Sequence, residues 1–303
     1  MTDARKPPPA RTPRGVRATE LESALAPYAD ALRAHLPSAD DILQRAAQRR
    51  RKAGARRKGV ALALCLAAGA AWWADPAYHT QTLATALGER SAWTLADGSR
   101  VHLNTGSRVD VALHLRSRRL SLASGEASFE VAHAPWHTLL PALERGFTVQ
   151  VGATRIEDIG TVFNVRRLQD GAVEVSVQQG RVRIDNGHAQ SIELGQGQVL
   201  RATPRALSQP EPAEVENLTA WHHGRIVFDD TPLADAIAEL RRYGPLPVTL
   251  RDDAAQLRIS GQFELGNREQ LIALLPHFAP VRLGRAADGT SIIERLPGST
   301  HAR

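Results

Sequence analysis

The sequence predicts a multi-domain chain: a short helical arm, a single transmembrane helix, an all-β domain of sandwich or solenoid type, and a small α+β module. Three observations carry this prediction. Residues 59–74 read GVALALCLAAGAAWWA, sixteen positions without a charge, preceded by Arg49-Arg50-Arg51-Lys52 and Arg56-Arg57-Lys58. From about residue 90, apolar and polar residues alternate in short runs divided by glycine turns. Beyond a proline-rich stretch at 204–217, helical stripes stand between short strands.

The arm comes first. Residues 1–18 are rich in Pro and Arg and are expected to be disordered. Thr19 and Glu22 are spaced for a capping box, and Leu21, Leu25, Tyr28 and Leu32 for one helical face, with a break at Pro27. Ser38 and Asp41 offer a second helix start that leads through Ile42 and Leu43 into the basic run. So little apolar surface does not make a core, and residues 1–58 read as a docking element that folds against a partner.

At 1.5 Å per residue the sixteen-residue run covers roughly 24 Å, against a hydrocarbon core of ~30 Å. Lys58 and Arg57 can snorkel inward, while Trp72, Trp73 and Tyr78 suit the far headgroup layer. The run has no polar stripe, as a core helix would, and it stands too far from the start for an ordinary signal peptide. Residues 59–75 are therefore read as a span. Its basic flank faces the cytoplasm, which puts the remainder on the far side of the membrane.

Charge divides at the same point. The whole chain carries a formal +6, but residues 1–58 hold 14 Lys/Arg against 6 Asp/Glu, a net +8, and residues 59–303 hold 24 against 26, a net −2. The basicity belongs to the arm beside the apolar run, where it marks topology and attraction to anionic lipid. Direct nucleic-acid binding is not expected. Cys65, the only cysteine, lies within the run, so the distal part has no disulfides.

The all-β domain is placed at 88–203. Ser99–Leu103, Arg108–Leu113, Arg119–Ala123 and Ala127–Val131 alternate, as do Phe147–Val151, Thr161–Val165, Val173–Val177 and Arg181–Ile184. Asp97-Gly98, Ser124-Gly125, Asp170-Gly171, Gln179-Gly180 and Asn186-Gly187 punctuate them. Pro135–Arg145 is a helix-like or looped insert. Residues 204–217 read as a linker.

At 218–297 a βαββαβ order is expected. Ile226–Phe228 is a strand, Thr231-Pro232 a helix start, and Leu233, Ile237 and Leu240 a stripe that ends at Gly244. Pro247–Leu250 and Leu257–Ser260 follow as strands. Leu271, Leu274 and Leu275 mark a second helix stopped by Pro276, and a strand pair flanks Asp288-Gly289.

No catalytic constellation or cofactor motif is present in the sequence. There is no Gly-x-Ser-x-Gly elbow and no phosphate-cradling glycine loop. His133 with His137, and His222 with His223, read as ordinary histidines; Pro135 interrupts the first spacing. Asp229-Asp230 and Asp252-Asp253 fit turn or cap roles. No metal and no cofactor is expected.

Four stretches resemble the FecR family of inner-membrane sigma-factor regulators. They are Leu95-Ala-Asp-Gly-Ser-Arg-Val-His-Leu-Asn-Thr-Gly-Ser107, Gly125-Glu-Ala-Ser-Phe-Glu-Val131, Gly160-Thr-Val-Phe-Asn-Val165 and Val175-Ser-Val-Gln-Gln-Gly-Arg-Val182. Ile226-Val-Phe-Asp-Asp-Thr-Pro-Leu-Ala-Asp235 and Ile259-Ser-Gly-Gln-Phe263 are similar to the family's C-terminal module. Residues 1–58 hold no Trp, whereas the family's cytoplasmic domain carries a Trp-bearing helical pattern.

The resemblance implies a bacterial inner-membrane protein with a cytoplasmic N-terminus and periplasmic C-terminal domains. It implies an anti-sigma factor that relays a signal from an outer-membrane TonB-dependent receptor to an extracytoplasmic-function sigma factor, controlling iron, siderophore or haem uptake genes. Periplasmic and intramembrane proteases would act in the relay. The receptor's signalling domain would meet Ile226, Val227, Phe228, Asp229, Asp235, Glu239 and Arg242. The sigma factor would meet Leu25, Tyr28, Leu32, Ile42 and Leu43. Some family members cleave themselves at a Gly-Thr bond, which Gly160-Thr161 matches; for this chain the reading favoured from the sequence is an ordinary Gly-Thr pair in a β-turn or strand. The rival to a regulator is a membrane-anchored periplasmic scaffold or envelope-assembly adaptor without a sigma-factor partner.

Overall fold

The computed structural model describes residues 23, 26–28, 31, 38–133, 145–187 and 190–296. The expected disorder of residues 1–18, the Thr19 capping box, and all of the Pro135–Arg145 insert except Arg145 lie outside them. The chain divides into two compact units, residues 1–70 and 71–303.

A 36-residue helix, Ala39–Ala74, begins where Ser38 Oγ accepts the Asp41 N–H at 3.0 Å, with Asp40 and Asp41 in its positive first turn. Val60, Leu62, Leu64, Leu66, Trp72 and Trp73 are exposed along it. Among the described residues, no helix is long and apolar enough to cross a membrane. The helix stops at Ala74, so lengthening its apolar part within the helix takes in Lys58 and then Arg57.

The β domain is a sandwich of two seven-stranded sheets. One sheet runs, in spatial order, through Ala77–Ala84, Arg108–His114, Ser117–Ser124, Gly146–Val151, Thr154–Asp158, Arg181–Asp185 and Ser191–Gly195. The other runs through Glu211–Pro212, Gln198–Ala202, Val173–Gln179, Val162–Arg167, Glu126–Glu130, Arg100–Leu103 and Ser91–Thr94. Neighbours are antiparallel except Ser117–Ser124 with Gly146–Val151, which pair in parallel. One core lies between the sheets. Arg108–His114 alternates strictly, burying Val109, Val111 and Leu113, as a half-buried strand should. Phe129 and Phe163 of one sheet stack with centroids 5.2 Å apart and meet Phe147 of the other at 6.1 and 6.5 Å.

Two boundaries differ from those expected. The sandwich begins at Ala77, eleven residues before 88. Its first strand buries only Leu83 and is held by backbone pairing to Arg108–His114, so it shows no alternation. Residues 204–217 are no free tether: Glu211–Pro212 pairs with Gln198–Ala202, and the short helix Val215–Leu218 buries Val215. A proline is tolerated on such an edge, where its missing N–H faces away from the ladder.

The C-terminal module has its own core, with Leu233, Ile237 and Leu240 of helix Leu233–Arg241 buried as the stripe required. Its strands form two small sheets. Arg225–Pro232 pairs with Arg258–Glu264, and Ser291–Arg295 lies between Val248–Leu250 and Val281–Arg285. A short helix, Asp252–Ala255, is added to the expected order, and Val281–Arg285 with Ser291–Arg295 form the strand pair expected about Asp288-Gly289. The last helix, Arg268–Phe278, passes through Pro276. A proline this close to a helix end removes a single hydrogen bond, and the buried Leu271, Ile272 and Leu275 hold the helix.

Candidate functional site

Two places concentrate buried polar chemistry: the junction between the sandwich and the C-terminal module, and the loop at Gly160-Thr161. At the junction the Glu126 carboxylate is almost fully buried. Its Oε2 accepts from Asn104 Nδ2 at 2.9 Å and from Arg242 Nη2 at 2.8 Å, and its Oε1 accepts from Asn164 Nδ2 at 3.0 Å. Asn104 Nδ2 donates a second hydrogen to the Tyr243 hydroxyl at 2.8 Å. Arg242 Nη1 donates to Glu239 at 2.5 Å, and Glu239 accepts from Arg166 at 2.5 Å. Thr105 Oγ1 donates to the Arg242 carbonyl at 2.9 Å, and Arg90 Nη1 donates to the Trp221 carbonyl at 2.9 Å.

This network alternates in sign from Arg166 through Glu239 and Arg242 to Glu126, so each buried charge has a counter-charge. Burial alone would raise the Glu126 pKa. The Arg242 and Arg166 guanidiniums and the hydrogen bonds outweigh it and hold the carboxyl below its ordinary value. Burial pushes the Tyr243 hydroxyl up, and the Glu126 charge pushes it further. A cleft of about 620 Å³ opens beside the network, with Arg166, Arg201, Glu174, Trp221 and Asp235 in its wall.

The structure places the seven expected receptor-facing residues differently from one another. Ile226, Val227, Phe228, Asp235, Glu239 and Arg242 all border the cleft, Ile226 and Phe228 being at the same time buried in the module's core. Asp229 is exposed at the bulge of Arg225–Pro232. Glu239 and Arg242 turn toward the chain's own sandwich. Sequence reasoning missed Glu126, Asn104 and Arg166 as their partners; the first two lay within motifs quoted for the resemblance, yet nothing local marks which residue would face them.

A histidine pair adds pH sensitivity. His102 and His222 stack with centroids 4.7 Å apart and planes 10° from parallel. Burial, then the neighbouring His102, lowers the His222 pKa from 6.5 to about 4. A depressed pKa contributes stability that is present above the unfolded value and lost as pH falls through the folded one. Acidification from pH 7 toward pH 4 is therefore expected to cost about 2–3 kcal/mol at this pair. Thermal unfolding of wild type and His222→Gln across that range checks it: the variant should show a shallower decline, and parallel curves would exclude the effect.

At the second place, Gly160 takes φ of +90°, a conformation L side chains resist, and Thr161 is buried behind it. Thr161 Oγ1 donates to Asp158 Oδ1. Asp158 Oδ2 lies 3.3 Å from His133 Nε2, and the Asp158 side chain is 2% exposed. Burial raises the Asp158 pKa, against hydrogen bonds from Thr161 and the Gly160 backbone and the charge of His133. Asp158 and His133 were not singled out with Thr161 from the sequence: His133 lies 28 residues before Thr161, and Asp158, three residues before it, reads as an ordinary strand-end carboxylate.

Tyr28, Ile42 and Leu43 of the arm are exposed. Leu25 and Leu32 lie outside the described residues, as does His137. Among the described residues, no group of three or more His, Cys, Asp and Glu could hold a metal ion.

Residues 81–183 match the model of the family described as FecR protein. No curated protein matches the chain significantly. Two solved structures of a candidate anti-sigma factor from Parabacteroides distasonis, at 2.50 and 1.65 Å, are similar to the chain. Each aligns with a TM-score of 0.58 and 21% identity, covering 72% and 71% of this chain and 99% of the other. The likeness is one of fold.

Proposed function

We propose that this chain, a FecR-domain protein over residues 81–183, is a single-pass anti-sigma regulator of the bacterial inner membrane. Its arm holds an extracytoplasmic-function sigma factor in the cytoplasm. Its C-terminal module meets the periplasmic signalling domain of a TonB-dependent receptor, and the genes controlled serve uptake of iron, siderophore or haem. Proteases of the periplasm and membrane complete the release, preceded by self-cleavage at Gly160-Thr161. The observation that carries the reading is the FecR-domain match on a fold shared with a protein described as a candidate anti-sigma factor.

Supporting details come from each region. The apolar residues of Ala39–Ala74 are exposed and adjoin a basic flank, which supports a membrane anchor with a cytoplasmic arm even though the apolar run is short for a span. Tyr28, Ile42 and Leu43 are apolar side chains left exposed for a partner. The strand Arg225–Pro232 pairs on one side only, with Arg258–Glu264, which leaves an edge to which another chain can add. Because Glu239 and Arg242 are engaged at the junction, the receptor domain would meet that edge and Asp229 first.

Co-expression of the full chain with the sigma factor encoded in the same genome tests this. Tagged wild type should retain the sigma factor, a variant lacking residues 19–58 should not, and the deletion should alter iron-responsive transcription. An arm that binds no sigma factor, with induction unchanged by its deletion, would overturn the reading in favour of an envelope scaffold.

A further inference from the structure

We propose that Asp158 is the catalytic base for scission of the Gly160–Thr161 bond and that His133 is the residue that positions it. The inference rests on the self-cleavage reading above and assigns the groups that would perform it. Three contacts carry it. Thr161 Oγ1, the only hydroxyl next to the bond on its amine side, already donates its hydrogen to Asp158 Oδ1. The other carboxylate oxygen is held 3.3 Å from His133 Nε2. The same His133 nitrogen lies 4.0 Å from where a Cβ on Gly160 would stand, so the ring covers the glycine on its side-chain face.

The acyl shift balances with these groups, and the scission with one added water. Asp158 accepts the Thr161 hydroxyl proton as Oγ1 forms a bond to the Gly160 carbonyl carbon. The Gly160–Thr161 C–N bond breaks as that proton passes to the Thr161 nitrogen, which becomes a free amine, and Asp158 is again a carboxylate. The product is an ester joining the Gly160 carbonyl to Thr161 Oγ1. Water then hydrolyses the ester to a Gly160 carboxylate and the original hydroxyl. A base within hydrogen-bond reach of its proton and an orienting partner behind it are the arrangement that activated hydroxyl nucleophiles require. Burial raises the Asp158 pKa, which strengthens it as a base while leaving it able to give the proton back.

Packing holds the carbonyl still. A Cβ on Gly180 would come within 2.0 Å of the Gly160 oxygen and 2.9 Å of the Thr161 methyl carbon, so only a glycine at 180 lets the bond sit there. Asp158 is not explained as a surface turn residue, because its side chain is almost entirely buried.

The test uses the full chain tagged at both ends, with fragments followed by mass spectrometry and folding by thermal unfolding. Wild type should yield two fragments meeting at Gly160 and Thr161, and Thr161→Ala none. Asp158→Asn should keep its unfolding transition and cleave about 100-fold more slowly. Hydroxylamine should trap the Gly160 ester as a hydroxamate in wild type but not in Asp158→Asn. His133→Ala should be slow and recover with added imidazole, a rescue that a purely structural histidine would not show. If Asp158→Asn loses its transition, Asp158→Ala with added formate replaces it: restored scission supports the base role, and none overturns it. Asp158→Asn cleaving at the wild-type rate while Thr161→Ala stays intact overturns the assignment and leaves self-cleavage standing. An intact wild type overturns self-cleavage itself, and the base with it.

Discussion

Replacing Arg242 with Met is expected to destabilise the distal unit by about 3–5 kcal/mol, because it leaves the buried Glu126 carboxylate without its guanidinium. Met fills much of the volume, so little of the loss comes from packing. Asn104 and Asn164 still donate to Glu126, which favours the lower end of that range. Removing both charges in Glu126→Gln with Arg242→Met should recover most of the stability, since a buried pair costs desolvation on both sides.

The pH dependence should reverse in sign. In the wild type the depressed Glu126 pKa makes its contribution present above about 4.5 and lost as pH falls through the lower folded value. Without Arg242, burial raises the folded value, so the penalty is absent in acid and grows as pH rises through it. Urea denaturation of the full chain at neutral and acidic pH measures both effects. Equal stability of wild type and Arg242→Met at neutral pH would mean that the junction does not hold the charge in solution.

Gly180→Ala is expected to cost about 2–4 kcal/mol, from a strained backbone and overpacking together. Gly180 sits at φ of +81°, and its missing Cβ is the space occupied by the Gly160 carbonyl. Two of the three nearest atoms, the Gly160 carbonyl oxygen and carbon, are backbone, which cannot rotate away as a flexible side chain would. Gly171→Ala is the matched control: it has a similar φ of +81° but nothing within 4 Å of its Cβ position. It should lose only the conformational part, ~1 kcal/mol. Denaturant midpoints of the two variants separate strain from collision. Equal losses would remove the Gly160 contact as the reason for a glycine at 180.

The sequence by itself determined the local framework. Alternation at Arg108–Leu113 identified a strand that buries Val109, Val111 and Leu113, and the spacing of Leu233, Ile237 and Leu240 identified a helix and its inner face. These patterns are legible because apolar burial repeats with the period of the element that carries it. Where burial was too sparse to show a period, as in Ala77–Ala84, the element was missed.

Only the tertiary structure decided which charges meet and why particular glycines stand where they do. Glu126 and Arg242 are 116 residues apart, and each reads singly as an ordinary surface charge. Gln179-Gly180 reads as a turn, yet its glycine also answers to the Gly160 carbonyl across the fold. Asp158, Thr161 and His133 become a set only when the strand ends converge. Periodicity is a local property of the chain, whereas charge compensation and close packing depend on register and module docking, which no short window of sequence contains.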